Sequence, residues 1–341
     1  PDAGRATARS ASAPAPGIAD APGWTARAAA RRTVRATAYA RGAVAVARAW
    51  WPTVVHANDH NTMWPALAIR RITGARVLYD SHELWADRNG RPEWRPGLLA
   101  SEAAFVRAAD GLITASPGYS RALAERHRIP TPPAVRNIPV GDAVPSTGPR
   151  PGPPEVVYVG GLMRGRGLEL TIDALPLAPG VRFRIVGPGP AAYAAALEDR
   201  ARARGVADRV VLAGAVPPGE VVAAAAGATL GLALIEPICR SYELTLPNKL
   251  FEYVRAAVPV LSSPVPVLAG VVREHGLGVV SASLDVADVA AAIRAGVDPA
   301  AQERMRSATT AYAATATWDA EAEVLAGVYR SILGRPGSSA S

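Results

Sequence analysis

The sequence predicts an α/β protein made of two consecutive domains, each built on a parallel sheet. Short apolar runs alternate with helical stretches, which is the pattern of parallel strands joined by crossover helices. Residues 140–154 are dense in proline and glycine, and the alternation restarts after them. The length of 341 residues suits two domains of ordinary size. Ligands of such a protein are expected in the cleft between the domains.

The chain divides into six segments. Residues 1–23 are rich in alanine, proline and serine and are predicted to form a disordered tail, without the apolar core of a signal peptide. The first domain spans 24–139, residues 140–154 are the linker, and the second domain spans 155–316. Residues 317–334 are predicted to form a C-terminal helix that packs back on the first domain, before a short tail at 335–341.

The first domain opens with an alanine-rich helix over 24–51. It carries six arginines and no acidic residue: Arg27, Arg31, Arg32, Arg35, Arg41 and Arg48. A surface helix packed on a sheet is favoured, and peripheral contact with an anionic membrane is the alternative. Four strands are predicted after it, at Val54–Ala57, Ala75–Tyr79, Gly111–Ala115 and Val135–Ile138. No opening strand and glycine turn come before the helix, so this domain looks short.

The second domain repeats the alternation more fully. Six strands are predicted, at Glu155–Val159, Val181–Val186, Arg209–Ala213, Thr229–Leu234, Val258–Ser262 and Gly278–Val280. Helices are predicted between them, and a last helical stretch, roughly 300–333, is expected to break near Thr317 and Trp318.

Composition excludes several functional classes. The net charge of +8 and the pI near 10.1 permit anionic partners, but the basic residues are scattered as singles and pairs, unlike those of a nucleic-acid binder. A single cysteine, Cys239, excludes an intramolecular disulfide and a cysteine metal cluster. No apolar run reaches the roughly 18 residues of a membrane span. A cytoplasmic protein is expected, with a peripheral place at the inner membrane face as the alternative.

Glycine-rich turns follow two strands of the second domain. Gly160 and Gly161 end the strand at 155–159, with Arg164 and Arg166 shortly after them, and Gly187 ends the strand at 181–186. Glycines at a strand-to-helix turn let backbone N–H groups approach an anion, and the helix N-terminus adds partial positive charge. Taken alone, such a turn is as compatible with a plain connection as with phosphate binding.

The only lysine of the chain, Lys249, stands at a predicted helix start, between Pro247, Asn248 and, three residues later, Glu252. Proline suits the first helical position. A lysine in the first turn interacts unfavourably with the helix dipole, by about 0.3–1 kcal/mol. A bound diphosphate would make the position favourable for a lysine. Glu252 lies on the same side of the helix, where its carboxylate could bind both ribose hydroxyls. The alternative is an ordinary surface pair of Lys249 and Glu252.

The order of these elements resembles the nucleotide-binding domain of retaining GT-B glycosyltransferases, particularly glycosyltransferase family 4, the glycosyl transferases group 1. The motifs that carry the resemblance span most of 53–333: VVHAND at 54–59, YDSHE at 79–83, YVGG at 158–161, RGL at 166–168, IVGPG at 185–189, VLAGAVP at 211–217 and PNKLFEY followed by AVPV at 247–260. The resemblance implies two Rossmann-like domains facing across a cleft, the first lacking its opening strand or strands.

The same resemblance implies retaining, metal-independent transfer from a nucleotide-diphosphate sugar to an acceptor hydroxyl on a glycan, lipid-linked or natural-product molecule. UDP- or GDP-sugars are expected before dTDP-sugars, with no separate cofactor, no metal site and no nucleic acid. The implied catalytic residues are His82, Arg166 and Lys249. The implied donor-binding residues are Gly160, Gly161, Arg164, Arg166, Gly187, Pro247, Asn248, Lys249, Leu250 and Glu252.

The chain departs from the family pattern at three places. Many members carry arginine where this chain has Gly161, and Arg164 is the candidate substitute. The family's first glutamate falls on Leu244, with Glu243 one position away. Ala257 replaces a glycine before the Val258 strand. Two alternatives stay open. The missing opening strand and glycine turn would suit a catalytically degenerate nucleotide-binding or regulatory subunit, and a sugar-nucleotide epimerase can have the same fold.

Overall fold

The computed structural model describes residues 26–89, 95–141, 143 and 148–334. Two parallel sheets follow one another along the chain. The tails at 1–23 and 335–341 lie outside the described residues, as do Asp142 and residues 144–147 of the linker.

The first sheet has three strands in the described part of the chain, in the order β1, β2, β3. Its elements are α1 (Ala26–Trp50), β1 (Val54–Asn58), α2 (His60–Thr73), β2 (Arg76–Ser81), α3 (Arg95–Ala108), β3 (Gly111–Thr114) and α4 (Pro117–His127). Helix α1 packs on α2 through Ala43, Val44 and Ala47, and side chains of its described N-terminal half are exposed.

The predicted fourth strand, Val135–Ile138, is wrong. Only an isolated bridge between Thr114 and Ala134 forms there. Prolines at 130, 132 and 133 remove backbone donors just before it. The backbone N–H of Arg136 donates to Glu321 at 2.6 Å, so it is not free to extend a ladder.

Over the described residues, the second sheet has six strands in the order β6, β5, β4, β7, β8, β9. Its strands are β4 (Glu155–Val159), β5 (Arg182–Val186), β6 (Val210–Gly214), β7 (Leu230–Ala233), β8 (Val260–Ser262) and β9 (Gly278–Val280). The order along the sheet reverses between β4 and β7, and ligands of open α/β sheets bind outside the carboxyl ends of the strands at such a point.

Helices cover both faces of this sheet and enclose two apolar clusters. They are α5 (Leu168–Ala174), α6 (Ala191–Ala203), α7 (Val221–Ala225), α8 (Arg240–Glu243), α9 (Asn248–Arg255), α10 (Pro266–Glu274) and α11 (Val286–Val297).

Two helices close the described chain, α12 (Pro299–Thr315) and α13 (Trp318–Leu333). The predicted break near Thr317 is confirmed, and the Thr317 side chain caps α13 by accepting from the backbone N–H of Ala320. Helix α13 returns to the first sheet, where Ile332 packs on Leu78 and Ile113. The two sheets and their helices thus form the two halves of an α/β protein.

Direct hydrogen bonds also join the two halves. Ser116, which caps α4, donates through Oγ to the backbone oxygen of Leu244 at 2.7 Å. The hydroxyl of Tyr119 donates to the backbone oxygen of Ser241 at 3.0 Å. The segment 241–244, which leads into α9, therefore rests on the N-terminus of α4.

Candidate active site

The turns after β4 and β5 lie against each other. Gly160 donates its N–H to the oxygen of Val186 at 2.9 Å, and Leu162 donates to Pro188 at 2.8 Å. A Cβ on Gly187 would lie 1.9 Å from the backbone oxygen of Gly160. Only glycine permits this approach, and Gly160 itself has a φ of 133°. The pair forms a compact backbone loop at the point where the strand order reverses.

Helix α9 is fixed at this edge by Tyr253. Its buried hydroxyl accepts from the N–H of Val159 at 3.2 Å and lies 3.0 Å from the oxygen of Leu232. The ring packs over Gly231, where a Cβ would lie 2.3 Å from the Tyr253 Cγ. The pairing of β4 with β7 ends at Val157 and Gly231, so the tyrosine fills the gap that opens between these strands.

Lys249, on the first turn of α9, is buried, with 8% of its surface exposed. Its Nζ lies 4.0 Å from the centroid of the Tyr158 ring, and a Cβ on Gly160 would lie 3.7 Å from it. Among the described residues, no carboxylate oxygen comes within 4.0 Å of the ammonium. Burial, and then the nearby charge of Arg166, lower the pKa of Lys249 to about 7. The interpretation of Lys249 as half of a surface pair is therefore wrong.

Glu252 stands one turn further along α9 and is half-buried. Burial raises the pKa of its carboxyl group, against the opposing effect of Lys249. Within the described residues, no side chain or backbone donor hydrogen-bonds to its carboxylate. Its oxygens are thus available to a ligand.

The two predicted arginines differ in how they are held. Arg166 donates from Nη2 to the Tyr242 hydroxyl at 3.2 Å, with its guanidinium 4.7 Å from that ring's centroid. Arg164 is exposed, and its guanidinium lies 5.9 Å from the ring centroid of Tyr193. Arg166 is the better held of the two.

The other predicted donor-binding residues differ from one another in exposure and in their contacts. Gly161 is exposed, and its backbone oxygen accepts from Tyr158 at 2.7 Å. Pro247 is the N-cap of α9 and not its first helical residue, and Asn248 is exposed at the first turn. The Leu250 side chain is fully buried in the apolar core, and its N–H donates to the Pro247 oxygen at 3.0 Å. Leu250 therefore supports the helix, and its side chain does not face the loop.

Glu243 and Leu244 do not supply the family's first glutamate. Glu243 accepts from Arg240 at 2.6 Å on the surface of α8. Leu244 lies against Gly118 of the first half, where a Cβ would be 2.6 Å from the Leu244 oxygen. No carboxylate occupies this position in the described site.

His82 lies at the carboxyl edge of the first sheet, directly after β2. Its Nε2 lies 3.0 Å from Oδ2 of Asp80, and its backbone N–H donates to Asp59 at 3.1 Å. The hydrogen bond with Asp80 raises the pKa of His82, although burial acts in the opposite direction. Asp59 has a φ of 65°, which is rare outside glycine, and burial raises its pKa to about 6.

Asp80 and Tyr158 also lie in the site, and no role was predicted for either of them. Asp80 stands two residues before His82 at a strand end, so the two side chains share a face. That spacing was the available signal. Tyr158 was one strand residue among several apolar ones, and its place under Lys249 needs the tertiary fold.

No group of three or more histidine, cysteine, aspartate or glutamate side chains in the described ranges is arranged to hold a metal ion. Within the same residues, no helix combines the length and apolar character needed to cross a membrane.

Comparison with protein families gives two adjoining matches. The family described as glycosyl transferases group 1 matches residues 153–298, and the glycosyl transferase 4-like domain matches residues 2–141. Glycogen synthase of Mycobacterium tuberculosis is 30% identical over 315 residues, covering 83% of this chain and 69% of that protein. D-inositol 3-phosphate glycosyltransferase of Acidothermus cellulolyticus is 28% identical over 320 residues, covering 83% and 68%.

Solved structures share the fold. Sucrose-phosphate synthase from Thermosynechococcus elongatus superposes with a TM-score of 0.69 at 21% identity, covering 86% of this chain and 77% of that one. HepE from Anabaena, solved in complex with UDP, gives 0.69 at 15% identity, covering 86% and 82%. Three observations point to the same family: the two Rossmann-like halves, a family match over each half and the 30% identical relative. The chain belongs to the glycosyl transferases group 1, and it is a nucleotide-sugar glycosyltransferase with the GT-B fold.

Proposed function

We propose that this enzyme transfers a sugar from a nucleotide-diphosphate donor to an acceptor hydroxyl, with retention of configuration and without a metal ion. The observation that carries the proposal is the buried ammonium of Lys249 beside the Gly160 loop, with no carboxylate partner in the described site. A buried charge is costly unless it is paired. Arg166 adds a second positive charge nearby. A diphosphate is the anion that fits two cations, a glycine loop and a helix N-terminus.

The donor is proposed to lie along the carboxyl edge of the second sheet. Its diphosphate would contact Arg166, Lys249 and the backbone N–H groups near Gly160 and Gly161. Its ribose hydroxyls would donate to Glu252, whose carboxylate has no other partner in the described site. The base would lie by Gly187, because that turn is the neighbouring strand end.

In the proposed mechanism the anomeric C–O bond to the diphosphate breaks while the acceptor oxygen attacks from the same face. The acceptor proton passes to the departing diphosphate oxygen, so no protein carboxylate has to act as nucleophile. The protein then acts by stabilising negative charge that grows on the leaving group, through Arg166, Lys249 and the N-terminus of α9. Removal of one such contact typically costs about 10²–10³ in rate.

UDP- and GDP-sugars are proposed as donors before dTDP-sugars. HepE from Anabaena, which shares the fold, has been solved with UDP-glucose at a TM-score of 0.66 and 17% identity. This likeness supports testing UDP-glucose first. The proposed acceptor classes are a glycan, a lipid-linked molecule or a natural-product hydroxyl.

The test is binding and turnover by purified protein with a panel of UDP-, GDP- and dTDP-sugars, with and without EDTA. Binding of one nucleotide and unchanged turnover in EDTA are expected, and NMR of the product's anomeric centre should show retention. Folded protein that binds no nucleotide would overturn the proposal. Change of the donor sugar without an acceptor would indicate an epimerase, and nucleotide binding without turnover on any acceptor would indicate a degenerate subunit.

Glu252→Gln tests the ribose contact separately, because it keeps the shape and removes the charge. We expect nucleotide affinity measured by calorimetry to fall about tenfold, the loss of roughly one charge-assisted hydrogen bond. The matched control is Glu243→Gln, whose carboxylate pairs with Arg240 on the surface. Equal affinity of the two variants would contradict the assignment.

Peripheral membrane contact through α1 is the remaining proposal, for a cytoplasmic enzyme at the inner membrane face. Arg31, Arg35, Arg41 and Arg48 of this helix are exposed and no acidic residue accompanies them in it. Co-sedimentation with vesicles should then require anionic lipid and weaken with salt. Arg35→Glu with Arg41→Glu should abolish it, and binding that survives both changes would contradict it.

A further inference from the structure

One carboxylate oxygen in the first half lies within hydrogen-bond distance of two histidine rings. Oδ2 of Asp80 lies 3.0 Å from Nε2 of His82 and 3.1 Å from Nε2 of His56. The residues come from adjacent strands, since β1 and β2 run parallel with Asn58 opposite Asp80. Asp80 is largely buried between them, with 13% of its side chain exposed.

This geometry fixes where the imidazole protons lie. Ionised Asp80 only accepts hydrogen bonds, so both Nε2 atoms must carry a hydrogen. The remaining nitrogen of His82 is Nδ1, which has no hydrogen bond to any described residue. Because the ring is partly exposed at the carboxyl edge of the sheet, Nδ1 is the atom that His82 presents to a ligand.

The far end of the cluster is held by the C-terminal helix. The hydroxyl of Tyr329, on α13, lies 2.8 Å from Nδ1 of His56, and the two rings meet edge to face with centroids 6.0 Å apart. When His56 is neutral with its hydrogen on Nε2, Nδ1 accepts and Tyr329 donates. An unbroken chain of hydrogen bonds therefore runs from α13 through His56 and Asp80 to His82.

Three acidic groups surround the His82 ring, Asp80 on β2, Asp59 at the start of α2 and Glu83 beside it in sequence. Glu83 pairs with Arg88 at 3.2 Å, which offsets its charge. Asp59 instead accepts the backbone N–H of His82 and holds the segment after β2 in place. Only Asp80 reaches the imidazole itself among these groups, so its loss should change the ring's orientation and charge most.

We propose that Asp80 is a positioning residue that orients His82 towards the transferred sugar, and that His56 and Tyr329 hold Asp80 in place from the C-terminal helix. This rests on the proposed function and extends it: His82, which the family resemblance implies to be catalytic, would be the first-half residue that faces the donor sugar. Asp80 and Tyr329 would not touch the substrate. The C-terminal helix would then contribute to turnover and not only to packing.

The first test uses Asp80→Asn, which keeps the shape and removes the charge, with exposed Asp208→Asn as the matched control. Histidine ¹³C-labelled protein carries only five histidines, so the ring signal of His82 can be assigned with His82→Gln. Asp80→Asn should lower the pKa of His82, because the charge that raises it is lost and the hydrogen bond to the remaining amide oxygen is weaker. An unchanged titration in folded Asp80→Asn would overturn the proposal whether or not the enzyme's donor is known.

The second test separates positioning from donor binding. Asp80→Asn should reduce kcat by roughly 10²-fold, the typical cost of a misplaced catalytic group, while nucleotide affinity stays within about twofold. Loss of nucleotide affinity with kcat unchanged would overturn the proposal. Wild-type protein that binds no nucleotide would instead overturn the proposed function, which calorimetry reports independently of the histidine titration.

Tyr329→Phe tests the outer end of the cluster without removing the ring that packs there. We expect kcat to fall several-fold and the ring signals of His56 to shift, with thermal stability close to wild type. The matched control is Tyr39→Phe, on an α1 side chain that is 59% exposed. Equal kcat in Tyr329→Phe and the control would remove Tyr329 from the proposal.

Discussion

Lys249 and Glu252 stand one turn apart on α9, and burial moves both groups towards their uncharged forms. The pKa of Lys249 falls to about 7, while the pKa of Glu252 rises. They do not form an ion pair within 4.0 Å. The free site therefore holds its cation only partly charged near neutral pH, and a bound diphosphate would restore the full charge.

Nucleotide binding should accordingly take up a proton at Lys249. A diphosphate favours the ammonium, so it raises the pKa of Lys249 above about 7 in the complex. Between pH 7 and 9 the free protein has lost the proton that the complex keeps, and affinity should fall as pH rises, by up to about tenfold per pH unit. Calorimetry in buffers of different ionisation enthalpy measures the uptake directly.

Lys249→Arg provides the comparison, because a guanidinium stays charged throughout this range. Its affinity should be weaker in absolute terms, yet flat between pH 7 and 9. If wild-type binding enthalpies prove independent of the buffer at pH 8, the site does not work as described.

Removal of the Tyr253 hydroxyl should lower both the stability of the protein and its affinity for nucleotide. Tyr253→Phe leaves the buried N–H of Val159 without its partner, which should lower the free energy of unfolding by about 1–3 kcal/mol. Because Tyr253 also fixes α9 against β7, nucleotide affinity should fall with it. Chemical denaturation and calorimetry measure the two effects, and Tyr39→Phe, on the exposed α1 ring, should change neither.

Much of this site was visible in the sequence, and the reason is local. The Gly160 and Gly187 turns, Lys249 and Glu252 each lie at a strand end or a helix start, so a pattern of a few residues places them at one edge of a parallel sheet. The depth at which Lys249 is buried could not be predicted, because the ring beneath it comes from β4, about 90 residues earlier in the chain.

The wrong strand prediction also comes from a contact between distant parts of the chain. The pattern of Val135–Ile138 predicts a strand, yet the Arg136 N–H donates to Glu321, which is 185 residues away. The contact between His56 and Tyr329 spans 273 residues and has no local signature. The contacts that α13 makes with the first half depend on the whole fold. The sequence around either partner of such a contact does not predict it.

Gly187→Ala tests the contact between the two glycine turns. The new Cβ would meet the Gly160 oxygen at 1.9 Å, and φ at Gly187 is 149°, so the backbone must move apart. Overpacking of this kind costs about 1–3 kcal/mol in stability and should weaken nucleotide binding at least tenfold. Gly270→Ala is the control, because that exposed position in α10 has open space and should gain about 0.5–1 kcal/mol. Equal nucleotide affinity in the two variants would mean that this turn does not shape the donor site.

Loss of the pair between Arg136 and Glu321 should show how much α13 contributes to the stability of the protein. Glu321 is 3% exposed and accepts from the backbone N–H and the guanidinium of Arg136. Glu321→Ala leaves Arg136 without its carboxylate partner in a partly buried place, and loss of one partner of a buried pair typically costs about 3–5 kcal/mol. Because 27% of the Arg136 side chain is exposed, we expect the lower end, about 3 kcal/mol.

A matched control for that change lies on the same helix. Glu323→Ala removes a carboxylate that is 71% exposed and pairs with Arg330, and exposed pairs contribute about 0–1 kcal/mol. Arg136 also lies 5.7 Å from the ring centroid of Phe251, the residue before Glu252 on α9. Glu321→Ala should therefore weaken nucleotide binding slightly as well as stability, whereas Glu323→Ala should change neither. Similar denaturation midpoints for the two variants would show that α13 is held by apolar packing at Ile332 and not by this pair.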